Sequence, residues 1–329
     1  PVFLVPQADT FSSLLVTAFF LGLAGSSFSV GVSYVSRWSP PAKQGGVLGV
    51  YGMGNIGQSA AVFLGPLLAA AIGWERVFTG LAGALFIWGG VFWLLARDAP
   101  AKAAPKGIGE MFALLARERL SWVLSAFYFL TFGGFVAFAI YLPTLLKDDF
   151  GLTPTDAGFR AAGFVVLATV LRPLGGALAD RIGGARVLNA VFLGVIPFAL
   201  LLSWKSMIPF TVGALGCAAL LGLGNGAVFK LVPQYFPNET GAVTGLVGAM
   251  GGLGGFFPPL LLGFFRDRTG EVWPGFALLA ATSFGLFVLN RRVLLPKQEA
   301  LELNLSPAQQ QVADQLRAVP LEAEQPAGA

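Results

Sequence analysis

Nine stretches of this chain are apolar for long enough to cross a bilayer as helices, which takes roughly 20 residues each. They run at about 10–36, 45–73, 77–97, 121–146, 157–179, 187–204, 208–235, 240–265 and 272–294. The basic residues are spread between them. Glycine and proline inside the stretches argue little against helix, because neighbouring helices can satisfy freed backbone groups in a membrane.

Two of the stretches open alike. Residues 41–52 read PAKQGGVLGVYG and residues 237–248 read PNETGAVTGLVG. A shift of 196 residues puts Pro41 on Pro237, Gly45 on Gly241, Val47 on Val243, Gly49 on Gly245 and Gly52 on Gly248. Parallel repeats of helical bundles are a common plan of membrane proteins. Residues 98–120, DAPAKAAPKGIGEMFALLARERL, have the make-up of a linker followed by a short amphipathic stretch. They divide the chain into residues 1–97 with three helices and residues 121–295 with six, followed by residues 296–329, expected as a flexible tail. A two-by-six plan therefore places three further helices ahead of Pro1. The expected fold class is an all-α membrane protein, a helical bundle with about nine of twelve transmembrane helices present and the first three missing.

Composition supports the bilayer: mean hydropathy is +0.73, with 55% hydrophobic and 12% charged residues, against roughly 25% charged in soluble domains. A single cysteine, Cys217, excludes a disulfide framework. The absence of histidine removes the commonest metal ligand, so neither a metal nor a cofactor is expected. A net charge of +4 in a soluble protein would suggest nucleic acid; here the cations follow the membrane. With alternating helices, twelve Lys and Arg of the connecting segments fall on one side and six on the other. The positive-inside rule then puts the 98–120 loop and the C-terminus in the cytoplasm.

Residues 175–186, GGALADRIGGAR, resemble the G-x-x-x-D-R-x-G-R/K loop of the major facilitator superfamily, with Gly184 and Ala185 delaying the last basic residue to Arg186. Small residues let helices approach, and Asp180, Arg181 and Arg186 are placed as a gating loop making charge-assisted contacts. LGVYGMGNIG at 48–57 and GAVTGLVGAMGGLGG at 241–255 resemble the paired glycine-rich motifs of the nitrate/nitrite porters, the NarK-type family of that superfamily. AGSSFSVG at 24–31 and GLGNGAVFKLVPQYFP at 222–237 extend the likeness, which runs from about Val16 to about Leu295. It implies a multi-pass transporter of nitrate and/or nitrite in a prokaryotic inner membrane, working by alternating access with one chain as the transport unit.

Gly45, Gly49 and Gly52 share one helical face, as do Gly241, Gly245 and Gly248. Such faces allow close packing and leave room for a small planar anion, which makes Gly52, Gly54, Gly248 and Gly251 candidates for lining its site. Arg172 lies deep in the 157–179 stretch, where a cation marks a functional site. No carboxylate is visible at mid-membrane depth to pair with it, and its planar fork suits an oxyanion. The resemblance implies a second arginine ahead of Pro1. It also implies that Tyr128 offers a phenol hydroxyl and Phe132 a ring face, with Phe28 as the opposing ring. Asn55 and Asn225 carry amide donors in or beside the glycine motifs. Lys230 can bind substrate, carry a proton, snorkel or pair structurally.

Coupling stays open at this level. Proton symport calls for a titratable group in the pathway, and none is visible at mid-membrane depth, which favours nitrate/nitrite exchange. The GNGAVFK run at 224–230 resembles the proton-symport branch instead. A transporter of another small solute, or a sensor whose tail is the effector, are the competing readings. No nucleophile and base pair speaks for an enzyme.

Overall fold

The fold is given by a computed structural model, which describes residues 1–99 and 107–303. Among these, nine helical spans are long and apolar enough to cross a membrane. In chain order they are α1 (Phe11–Trp38), α2 (Gln44–Gly52 and Ile56–Ile72, joined by the 3-10 turn Met53–Asn55) and α3 (Trp74–Leu95). The amphipathic stretch of the central linker forms α4 (Ile108–Arg117). Then follow α5 (Arg119–Phe150), α6 (Pro154–Ile182), α7 (Gly184–Leu201), α8 (Met207–Tyr235), α9 (Thr240–Thr269) and α10 (Trp273–Leu303). Residues 100–106 of the expected linker and 304–329 of the expected tail lie outside the described residues.

Several helices outrun the apolar windows that announced them. Hydropathy marks the span that must avoid water, whereas the end of a helix is set by what caps its last carbonyls. α5 continues through Lys147 and Asp148 until Gly151, whose φ of 65° supplies the left-handed cap. α6 starts where the Thr153 side chain accepts from the Asp156 N–H. Between α6 and α7 the chain reverses on Gly183 alone, at φ 88°.

The spans alternate in direction. The connections at 39–43, 183 and 236–239 therefore share one end of the bundle with the last turns of α10. α5, α6, α7 and α8 hold the core, with Leu124, Phe127, Phe192, Leu221 and Leu231 fully buried. Backbones touch where glycines meet: Gly133 packs on Gly254 between α5 and α9, and Gly222 on the Ala168 carbonyl between α8 and α6. On α3, Phe86 and Trp93 are each 86% exposed.

Two expectations need correction. Residues 296–303 are not a loose tail: α10 passes through a five-residue π turn at Asn290–Leu294 and continues to Leu303. Gln298 holds it there, buried, accepting from the Ala185 N–H at 2.9 Å and donating to the Ile182 carbonyl at 3.3 Å. One side chain thus satisfies the first turn of α7 and the last of α6. The glycine faces also differ. The first packs hard, because an added Cβ at Gly49 would lie 2.6 Å from Pro173 Cα on α6. On the second, Gly241 meets Ser33, but Cβ atoms at Gly245 and Gly248 would meet nothing within 4 Å among the described residues. A bare face packs only where another helix is brought to it.

Candidate functional site

Arg172 is the largest fully buried side chain, 1% exposed, on the turn of α6 that carries Pro173. The glycines of α2 bring that helix against the same turn, so the two halves of the chain meet at the guanidinium. Nη1 donates to the Gly52 carbonyl at 3.2 Å. The Asn55 amide, in the orientation its hydrogen bonds require, accepts from Nη2 at 3.0 Å and also from Nη1. The Phe135 and Phe132 rings lie 5.1 and 5.5 Å from the guanidinium carbon, within cation–π range. The Tyr128 phenol also faces the guanidinium. The partners of this buried charge are therefore dipoles and ring faces.

A file of rings crosses from one half to the other beside it. Tyr128 and Phe132 stack at 4.8 Å with planes 2° apart. Gly251 permits that stack, since a Cβ there would fall 2.5 Å from the Tyr128 ring and 3.0 Å from Phe132. Phe229 of α8 stands edge-on to Tyr128 at 4.7 Å and to Phe28 at 5.0 Å, and Phe28 stacks on Tyr51 at 5.3 Å. Phe28, expected to oppose Phe132, is thus separated from it by Phe229 and Tyr128. Gly52 lies against Arg172, where an added Cβ would be 3.3 Å from its Cδ and Nη1. Gly54 is exposed, and an added Cβ at Gly54 or Gly248 would meet nothing within 4 Å among the described residues.

Asn225 is 1% exposed on α8, one turn before Phe229, and neither amide atom has a partner. Thr131, Thr169 and Arg172 Nε are orphaned in the same way. Unmet polar atoms in a dry interior are costly, so these groups are available to accept or donate hydrogen bonds beside Arg172.

A second constellation lies two turns along α6. Asp180 pairs with Lys230 at 2.8 Å, with side chains 9% and 10% exposed. Its Oδ1 accepts from the Gly45 N–H at 2.9 Å and its Oδ2 from the Gly46 N–H at 2.8 Å, so the carboxylate caps the first turn of α2, where the helix dipole favours an anion. Lys230 also donates to the Pro41 carbonyl. Lys230 therefore does not snorkel: a partner on α6 and a carbonyl on the first half satisfy it out of water. Arg186, grouped with Asp180 on sequence, turns elsewhere, forming a two-pronged pair with Glu302 at 2.9 and 2.7 Å and donating to the Ile182 carbonyl. Arg181 occupies the last turn of α6.

Sequence reasoning missed Phe229, Tyr51 and Phe135. Nothing sets them apart among 30 phenylalanines and five tyrosines, although Phe229 lies inside the GNGAVFK run. Chemically, the arrangement is a buried cation with hydrogen-bond and ring partners and, among the described residues, no carboxylate on it, which suits a small anion better than bond-making chemistry.

Known proteins point the same way. The Major Facilitator Superfamily profile matches residues 2–259 and 124–320. The nitrite extrusion protein of Bacillus subtilis is 42% identical over 290 residues, covering 88% of this chain and 73% of that protein. The probable nitrate transporter NarT of Staphylococcus epidermidis is 40% identical over 300 residues, covering 91% and 77%. Among solved structures, the E. coli fucose:proton symporter superposes with a TM-score of 0.69 at 18% identity over 88% of this chain and 78% of its own. The human organic anion transporter MFSD10 does so at 0.68 and 19%, over 88% and 74%.

Proposed function

The chain belongs to the Major Facilitator Superfamily and, within it, to the nitrate and nitrite porters, and on that premise we propose that it carries nitrate and/or nitrite across the cytoplasmic membrane by alternating access. It is a multi-pass transporter and not an enzyme. The observation that carries the reading is Arg172, buried between the two halves with no carboxylate among its hydrogen-bond partners in the described residues.

A planar monovalent oxyanion matches that guanidinium in charge and in shape, since two oxygens fit the fork. Tyr128 supplies a hydroxyl donor, Asn55 an amide donor and Phe132 a face for the ring-like plane of the anion. Phe28 acts through Phe229 by fixing the ring file. Asn225 and the orphaned threonines complete their hydrogen bonds when the halves separate and water or anion arrives.

Asp180 and Lys230 form the gate at one end. They tie α6 and α8 to the first turn of α2, so that end opens only when the carboxylate releases the two N–H groups. The distribution of Lys and Arg supports a cytoplasmic side for this end, the 98–120 loop and the C-terminus, in an inner-membrane protein that works with one chain as the transport unit. The coupling is by proton symport or by nitrate/nitrite exchange.

The test is uptake of labelled nitrate into proteoliposomes holding the full-length protein, with and without internal nitrite and with and without a pH gradient. Uptake in at least one of these arms is expected, together with its loss in Arg172→Ala. Undiminished uptake by Arg172→Ala would end this reading of the site.

A further inference from the structure

The hydrogen bonds on Arg172 carry a consequence for coupling. In an unbroken α-helix the Ile56 N–H would bond the Gly52 carbonyl. Here the chain tightens into the 3-10 turn Met53–Asn55, and the Ile56 N–H goes to Met53 and Gly54 instead. The Gly52 carbonyl thus exchanges its i+4 partner for the tighter i+3 bond of the turn, and its second lone pair stays available. It is this oxygen that accepts from Arg172 Nη1 at 3.2 Å. Asn55, the last residue of the same turn, presents its amide oxygen to Nη2 at 3.0 Å. The contact leaves no room to spare: a Cβ on Gly52 would already be 3.3 Å from Nη1.

We infer that the broken turn of α2, through the Gly52 carbonyl and Asn55, is an internal substitute for the transported anion, which lets the empty carrier close over Arg172 and return unloaded. The inference rests on the nitrate reading above and deepens it, because a carrier that returns empty performs net uptake, whereas one that closes only around an anion is confined to exchange. Asn55 suits the double duty. Its amide accepts from the guanidinium when the site is empty, and by turning over it donates to an anion when the site is filled. Aspartate could do only the first, and alanine neither. Asn55 is therefore a positioning residue for the return step as well as a ligand.

The test compares two transport modes of the full-length protein in proteoliposomes: labelled nitrate entering nitrate-free vesicles, and labelled nitrate exchanging at equal concentration on both sides. A return-step role predicts that Asn55→Ala slows net uptake about tenfold, the weight of one hydrogen bond to a charged group, while slowing exchange by no more than about half that. A second readout needs no transport. Ala177 faces Gly46 across the α2–α6 contact, and an Ala177→Cys reporter labelled by an impermeant maleimide in anion-free vesicles measures how often that contact opens. The Asn55→Ala change is expected to speed its labelling. Equal slowing of both modes with unchanged labelling overturns the inference, as does a wild-type protein that exchanges nitrate but shows no net uptake. A wild-type protein that moves no nitrate in either mode fails the functional reading, and the labelling comparison alone then decides whether Asn55 closes the empty molecule.

Discussion

Replacing Asp180 by asparagine tests the gate at its most sensitive atom. The carboxylate receives three donors, the Gly45 and Gly46 N–H groups at 2.9 and 2.8 Å and Lys230 Nζ at 2.8 Å. Asparagine keeps one oxygen and turns an NH2 group toward a donor, while Lys230 stays buried against the Pro41 carbonyl. Removing one member of a buried pair costs ~3–5 kcal/mol, because the stranded charge keeps its desolvation penalty. Loss of an anion from a helix N-terminus accounts for up to about 2 kcal/mol of this. At ~1.4 kcal/mol per tenfold, the packed arrangement at this end loses roughly two to three and a half orders of magnitude in population. Thermal unfolding in detergent and labelling of the Ala177→Cys reporter both measure it, and D180N is expected to melt earlier and label faster. The double variant D180N/K230M removes the stranded charge, so it is expected to recover at least about 2 kcal/mol of the sum of the single losses. Simple additivity of the two single changes would refute the argument, since it would mean that the two charges do not interact.

Three further outcomes follow from the same geometry. Gly49→Ala places a methyl 2.6 Å from Pro173 Cα and is expected to destabilise by ~1–3 kcal/mol and slow uptake, whereas Gly54→Ala, in open space, leaves melting and uptake unchanged; both are read by thermal unfolding and initial rates. Arg172→Lys keeps the charge but loses the fork, so the KM for nitrate is expected to rise about tenfold or more, and an unchanged KM would show that the fork is not used. Gln298→Ala strands the buried Ala185 N–H and is expected to cost ~1–3 kcal/mol in melting experiments, against less than about 1 kcal/mol for Glu302→Ala, whose ion pair with Arg186 is partly exposed.

The sequence by itself determined the architecture, because the physics that decides it is one-dimensional. A span needs a run of apolar residues, and nine runs show nine helices whatever packs against them. A permanent charge in such a run is anomalous without reference to any neighbour, so Arg172 stood out, and a four-residue spacing sufficed to put Tyr128 and Phe132 on one face. Which groups meet depends on how helices far apart in the chain are rotated about their axes, and no local pattern encodes that. Only the tertiary structure could bring Asp180 to Lys230 and to the first turn of α2, turn Arg186 to Glu302, and set Phe229 between Phe28 and Tyr128. The clearest case is Arg172 itself. Its sequence context announced a buried cation and could not say what answers it, whereas the fold supplies a carbonyl and an amide from a helix that begins 128 residues earlier, at Gln44. A charge is visible along a chain, but its solvation is a property of the space around it.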